Sequence, residues 1–477
     1  MRSRLAALLV VLGLGLALVP AGASHAAIQV DHKGRWLTDR FGRVVILHGV
    51  NMVDKLPPYD PASLGFGADD AALLQRAGFH TVRLGVILKA IEPTKGHFDD
   101  AYLASIQRTA DMLGRHGMRV VLDFHQDLYN ERFNGEGFPD WMVQDDGLPA
   151  EPDFGFPANY FAMPALWRAF DHLWANDGGL QDDFAAAWQH VAARFANDPA
   201  VLGYDTFNEP WPGSDWETCL QPAGCPLFDQ MLTAFFTKVF HAIRTVDDTH
   251  MVFYEPNPET AGTGSQVWIG DTGDPNAGFS FHFYCLDALG WPGQLGAVRC
   301  PAGEDRPFDV ADQVSQSNGD ALLLSEFGAT DDLQNIQMTL DDADRHMVSW
   351  QYWTYYGRDP CCARPNEGVI VDPHKPPTGA NIKWQKLAVL SRPYPRAIAG
   401  TPGGWTYDPA SREFTFSYGA KPSIAAPTEV FVPPLHYANG YRVHMSGPAR
   451  VISAPNATLL VLRTIGSGPV GVTVDAR

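Results

Sequence analysis

The sequence predicts an α/β chain, a (β/α)8 TIM barrel followed by a carboxy-terminal all-β sandwich. Three observations carry that expectation. Eight short apolar stretches alternate with longer segments of helical period, the order that yields a parallel sheet covered by helices. Two of them, Val201-Leu-Gly-Tyr-Asp-Thr-Phe-Asn208-Glu209-Pro210 and Ala321-Leu-Leu-Leu-Ser-Glu326-Phe-Gly328, run into a glutamate, and residues at the carboxyl ends of barrel strands converge on one mouth. Beyond Arg392 the texture changes to brief alternating segments between prolines and glycines, the pattern of an antiparallel sandwich.

Residues 1–27 read as a signal peptide. Arg2 and Arg4 precede an apolar run over 5–19, with small-residue cleavage options at Ala21-Gly-Ala23 and Ser24-His-Ala26. The run is shorter than the roughly twenty residues of a spanning helix, so the mature chain is expected to be secreted. The barrel is expected over 28–390. Its strands are read at 44–51, 81–86, 119–127, the Glu209 stretch, 250–256, 279–284, the Glu326 stretch and 349–355. Helical patterns lie between them, notably at 69–77, 99–116, 182–195, 228–245 and 331–347. Gly78 is a helix stop, and Pro210, lacking an N–H, ends its ladder.

The interval 129–180 is too long for a routine connection and is aromatic, with Phe133, Phe138, Trp141, Phe154, Phe156, Tyr160, Phe161, Trp167, Phe170 and Trp174. Long loops over a barrel mouth serve substrate. Some of these rings are expected to pack the loop onto the rim and the others to line an apolar groove. The sandwich is expected over 391–477; no charged or catalytic cluster appears in it, so structural support is the favoured role over carbohydrate binding.

Of 477 residues, 45% are hydrophobic and 19% charged, with a formal net charge of −19. That is an ordinary globular composition, and the acidity argues against non-specific binding to nucleic acid or an anionic membrane. Six cysteines in an exported chain suggest disulfides. Pairing of Cys219 with Cys225 and of Cys285 with Cys300 would close small loops, leaving Cys361 and Cys362 to form a vicinal bridge or to pair elsewhere. The spacings lack two Cys-x2-Cys knuckles, so zinc is not expected.

A strand-end glutamate alone is compatible with a solvated loop acid. Two of them facing across one mouth suit glycoside hydrolysis, in which one carboxyl protonates the leaving oxygen and the other attacks the sugar carbon. Glu209 is the better general acid, because a hindered strand end raises a carboxyl pKa and Asn208 beside it can hold a sugar 2-hydroxyl. Glu326 is the better nucleophile. Strand ends four and seven are expected to place the pair about 5–5.5 Å apart, with retention of configuration. No metal or other cofactor is expected.

The strand-end positions Arg83, His125, Asn208-Glu209-Pro210, Tyr284, Glu326 and Trp353 resemble glycoside hydrolase family 5, of the 4/7-retaining clan. Within it, His48-Gly-Val-Asn51 with Lys55 and Pro57-Pro-Tyr59, His125-Gln-Asp127-Leu-Tyr129, Phe138-Pro-Asp-Trp141, Phe207-Asn-Glu-Pro and His282-Phe-Tyr-Cys285 are similar to the endoglycoceramidases. Those enzymes cut the bond between the oligosaccharide and the ceramide of glycosphingolipids. The segment 82–93 looks more like the branch acting on galactose-linked ceramides. The resemblance implies Glu209 as acid/base, Glu326 as nucleophile, Asn208 on the 2-hydroxyl, and Tyr284 orienting Glu326. Lys55, His125, Asp127 and Trp353 would contact the sugar. The residue chemistry agrees, since Lys55 and Asp127 can bond hydroxyls with full charge and Trp353 offers a ring an apolar face. Arg83 is read as an ion-pair partner of Glu326, and His48 and His282 as scaffold or supporting groups. The expected partner is a glycolipid, its sugar in a polar pocket and its ceramide in an apolar groove, reached by transient contact with a membrane or micelle, with the enzyme a monomer. Two rivals stand beside this: a β-glucanase or simple glycolipid β-glucosidase of the same fold, and a barrel that binds carbohydrate or lipid without turnover.

Overall fold

The computed structural model describes residues 30–285, 305–357 and 362–477; the segment read as a signal peptide lies outside them. Eight parallel strands close a barrel: β1 (His48–Met52), β2 (Thr81–Val86), β3 (Arg119–Phe124), β4 (Val201–Asp205), β5 (Met251–Tyr254), β6 (Ala277–Phe283), β7 (Ala321–Phe327) and β8 (Ser349–Tyr352). All their residues but Arg119 are buried. Strands covered on both faces need apolar runs rather than alternation, which is why these eight were legible. Helices Ala68–Ala77, Asp100–Arg115, Leu180–Phe195, Pro226–Arg244, Arg306–Asn318 and Leu333–His346 surround them. Asp99 and Asp332 cap two of these helices by accepting from backbone N–H groups. Gly78 ends the first in the left-handed conformation expected of a stop.

The apolar run at 44–51 is not one strand. Its first part, Val44–Val45, joins the sandwich by pairing with Tyr394–Ile398, and only His48–Met52 enters the barrel. With the hairpin Val30–Lys33 and Trp36–Asp39 it contributes three strands to a seven-stranded sheet built from both ends of the chain. Pairing across such a sequence distance leaves no local pattern to read. The second sheet has the order Gly400–Asp408, Glu413–Ala420, Gly468–Ala476, Tyr441–Ser446. Trp405, Phe414, Phe416 and Tyr418 fill the sandwich core. Val30 and Leu37 of the hairpin pack with Leu47, Val121, Leu202 and Phe253 at the amino-terminal end of the barrel. The Trp405 indole donates to Asp344 Oδ1 (2.7 Å), and Arg392 meets Asp341 and Asp344 (2.8 and 3.0 Å).

The 129–180 interval carries its own structure: short turns at Glu131–Phe133 and Asp140–Met142, and helices Asn159–Ala162 and Pro164–Trp174. Tyr129 and Phe138 stack with centroids 4.0 Å apart, and Phe133, Phe170 and Trp174 are buried in the main core. A disulfide joins Cys219 and Cys225. Cys285 and Cys362 are also disulfide-bonded, but the suggested partners Cys300 and Cys361 lie outside the described residues.

Candidate active site

Two local devices aim the two glutamates. Along β7 the pairing with β6 shifts between Leu324 and Glu326, after which Glu326 lies opposite His282; such irregularities re-aim side chains beside active sites. Gly328, at φ +100°, then turns the chain where a Cβ would fall 2.3 Å from the Tyr352 ring. Glu209 itself has φ +49°, a left-handed conformation unusual for a non-glycine residue. It is held there by its N–H donating to Glu255 Oε2 (2.9 Å) and by Gln126 Nε2 donating to its carbonyl (3.1 Å).

The outcome is a facing pair. Carboxylate oxygens of Glu209 and Glu326, together with a ring nitrogen of His282, lie within 4.8 Å of one another. That fits the spacing of a retaining pair and is too close for the roughly 6.5–9.5 Å of an inverting one.

Glu326 is held from two sides. Arg83 Nη1 donates to Oε1 (2.5 Å) and the Tyr284 hydroxyl to Oε2 (2.6 Å). Arg83, fully buried, also donates to Asp205 (2.8 Å), Asp123 (2.9 Å), Glu255 (2.8 Å) and Asn208 Oδ1 (2.9 Å). A buried guanidinium is tolerated because all its donors are engaged by oxygens. Asn208 has spent its carbonyl on Arg83 and one N–H on Gln126 O (3.0 Å). One N–H remains for substrate.

Glu209 accepts from His282 Nδ1 (2.8 Å), whose other nitrogen lies 3.2 Å from Glu255. Burial pushes the Glu209 carboxyl above its ordinary range; the His282 bond pulls the other way, and the negative charge of Glu326 adds to the rise. Burial opposes charging His282, but Glu255 and Glu326 outweigh it and hold the imidazole well above its usual value. Glu255 is buried too, yet the charges of His282 and Arg83 bring it down to about 2. The pair thus has a carboxyl whose pKa is raised beside one locked to an arginine, the division of labour that acid and nucleophile require.

One cavity joins these groups, enclosing about 1170 Å³ including open solvent at its mouth. Lys55, His125, Asp127, Asn208, Glu209, Tyr284, Glu326 and Trp353 all line it; Arg83 supports them from beneath. Lys55 bonds Asp127 and lies 4.5 Å from the Trp353 ring centroid. The Trp353 indole donates to Glu367 Oε2 (3.0 Å). His125 stacks on Trp353 and gives Nδ1 to Asp123 (2.8 Å), leaving Nε2 buried without a hydrogen bond. Burial disfavours its charge, but Asp123 raises its pKa to about 9.

Another part of the lining is apolar: Phe156, Tyr160 and Phe161 of the long loop with Trp211, Leu220 and Ala261, the rings of Tyr160 and Phe161 packing on Trp211. Of the loop's other rings, Phe133, Phe138, Phe170 and Trp174 are buried in the core and Trp141 packs against it, while Phe154 is exposed. Glu259 also lines the cavity. Both its carboxylate oxygens are buried without a hydrogen bond, and burial pushes its pKa up to about 9.

Sequence reasoning passed over Glu255, although Tyr254-Glu255-Pro256 repeats the strand, glutamate, proline pattern of Glu209. His282, read as a supporting group, is the hydrogen-bond partner of the acid. His48 is scaffold, stacked between Trp350 and Tyr394. Of segment 82–93 no residue lines the cavity, and Arg83 reaches the site through Glu326, Asn208 and Glu255. Among the described residues three sets of side chains bring possible metal ligands together, and two of them, His125–Asp127–Glu136 and Glu209–His282–Glu326, belong to this site. In both a protein cation is already seated, Lys55 in the first and the imidazolium of His282 in the second, so neither is a good fit for a metal ion.

A closed barrel with a retaining carboxylate pair at its carboxyl-terminal mouth defines a retaining glycoside hydrolase. Residues 49–359 match the cellulase model of glycosyl hydrolase family 5, and 392–474 match the family 5 carboxy-terminal domain. The chain is 34% identical to endoglycoceramidase I of Rhodococcus hoagii (strain 103S), over 94% of this chain and 88% of that protein. It is similar to endoglycoceramidase II from Rhodococcus sp. solved as a lactosyl-enzyme intermediate (TM-score 0.75, 28% identity, 93% of this chain and 100% of that one). The same protein in complex with ganglioside GM3 aligns with TM-score 0.76 and 27% identity, covering 93% of this chain and 99% of that one. The chain belongs to glycoside hydrolase family 5.

Proposed function

We propose that this glycosidase is an endoglycoceramidase: it cleaves the bond between the sugar chain and the ceramide of glycosphingolipids, with retention. The observation that carries the reading is one cavity lined both by charged and polar groups, Lys55, Asp127, Glu209 and Glu326 among them, and by the rings of Phe156, Tyr160, Phe161 and Trp211. Glu326 attacks the anomeric carbon while Glu209 gives its proton to the departing ceramide oxygen. Glu209 then takes a proton from the water that releases the sugar. The relatives named for ceramide-linked substrates support this choice over a glucanase, which would need sugar-binding surface on both sides of the pair.

The enzyme is exported, as its amino-terminal segment and the Cys219–Cys225 disulfide suggest. It works as a monomer and meets its substrate by transient contact with a membrane or micelle. Incubation with a panel of glucosyl- and galactosyl-linked ceramides bearing short sugar chains tests the proposal. Intact glycan and free ceramide are expected from at least one. Release of monosaccharides from the outer end, or cleavage of soluble β-glucans alone, would sink it.

A further inference from the structure

We infer that the rim of the cavity's apolar end is a docking surface for an uncharged lipid interface. This rests on the glycolipid reading above. The disulfide-closed loop from Cys219 to Cys225 faces two ways. Leu220 lines the cavity, while the carbonyl of Ala223 accepts the Trp268 indole N–H (2.8 Å). Trp268 is 54% exposed. Its backbone N–H donates to Asp229 Oδ2 (2.6 Å), which fastens it against the start of the helix Pro226–Arg244. Leu227, 77% exposed, stands in that first turn, with Met231 four residues on and on the same face. The helix follows β4, so its amino terminus lies at the catalytic face of the barrel. In the long loop Phe154 is 68% exposed, two residues from Phe156, which lines the cavity.

The loops that wall the apolar end therefore also hold large apolar side chains out into solvent. Singly, such residues need no explanation; carried on the segments that also line one cavity, they are read as parts of one interaction surface. The occupant follows from the chemistry. A substrate with two hydrocarbon chains resides in a lipid surface, and a chain of net charge −19 gains nothing from anionic headgroups. The interface is met by area, with Trp268 suited to its polar–apolar boundary.

The test uses the full chain, phosphatidylcholine vesicles with and without embedded glycolipid, anionic phosphatidylserine vesicles, and a water-soluble aryl glycoside of the same sugar. Phe154→Asp combined with Leu227→Asp changes exposed positions that do not line the cavity. Expected are a tenfold or greater loss of vesicle binding by co-sedimentation, a similar loss of glycolipid turnover in vesicles, and aryl glycoside hydrolysis within twofold of the parent. Leu227→Trp should bind vesicles several-fold more tightly while hydrolysing the aryl glycoside at the parent rate, which a misfolded protein would not do. Equal vesicle binding by parent and double variant, or binding only to anionic vesicles, overturns the inference. Vesicle binding that depends on Phe154 and Leu227 without any glycolipid cleavage would leave the docking surface standing and remove the substrate reading instead.

Discussion

The polar end of the cavity is tied together before any sugar arrives: Lys55 to Asp127, His125 to Asp123, Trp353 to Glu367. The apolar end presents the rings of Phe156, Tyr160, Phe161 and Trp211 with little hydrogen bonding to offer. The contrast follows from what each end must recognise. Sugar hydroxyls need donors and acceptors at set directions, which prior bonding provides. Hydrocarbon needs only area withdrawn from water, because its attraction has no direction. Glu209 and Glu326 line the same cavity.

Removing either of these carboxyls should have the largest effect and should split by leaving group. Glu326→Gln is expected to lower kcat by roughly 10⁴-fold on both a glycolipid and an activated aryl glycoside. Glu209→Gln should cost about 10²–10⁴-fold on the glycolipid and much less on the aryl glycoside, whose leaving group needs no proton. Equal loss on both substrates would reverse the assignment. Next, Arg83→Met strips the shared cation from four buried carboxyl groups, and breaking such a network costs about 3–5 kcal/mol. A urea unfolding midpoint unmoved from the parent would show that the network is dispensable.

The two ends can be set directly against each other. Lys55→Met should lower kcat/KM by about 10- to 100-fold, the worth of a charged hydrogen bond, whatever the lipid length. Phe161→Ser should cost about 1–2 kcal/mol of apolar contact and only on long-chain ceramides. If the chain-length dependence appears in the lysine variant instead, the ends have been misassigned.

Glu209 must be protonated to act, and its pKa is raised, so activity should persist above the ordinary glutamate range and fall as pH rises through the shifted value. The His282 bond lowers that pKa; His282→Gln should therefore move the alkaline limb of kcat/KM upward, and a downward shift would contradict the network. The smallest effect concerns stability. Glu259 stays protonated to about 9 in the folded chain but ionises near about 4.3 when unfolded. Folding thus takes up a proton between those values, and the parent loses stability as pH rises through that window. The Tm advantage of Glu259→Gln over the parent should widen from pH 5 to pH 9; a constant difference would show that the carboxyl is not buried in its neutral form.

Much of the site was legible because barrel topology converts strand ends into neighbours. The predicted sugar-contacting and catalytic residues all line the mouth, from Lys55 to Trp353, whereas Arg83 lies behind Glu326 and His48 is scaffold. What escaped was support rather than contact. Glu255, Asp123 and Asp205 look like interruptions of apolar strands, and their purpose appears only when Arg83 is seen among them. The amino-terminal strands were read into the barrel because nothing local tells Val44 from His48.

By itself, then, the sequence determined the class of chain: the barrel, its eight strands, the two acids and the long aromatic loop, all written in patterns a few residues wide. Tertiary structure alone decided how near the acids stand, which histidine shares a proton with Glu209, where the chain's first strands pair, and which rings face substrate. Those are matters of distance between residues remote along the chain, and hydrophobic periodicity carries no record of them.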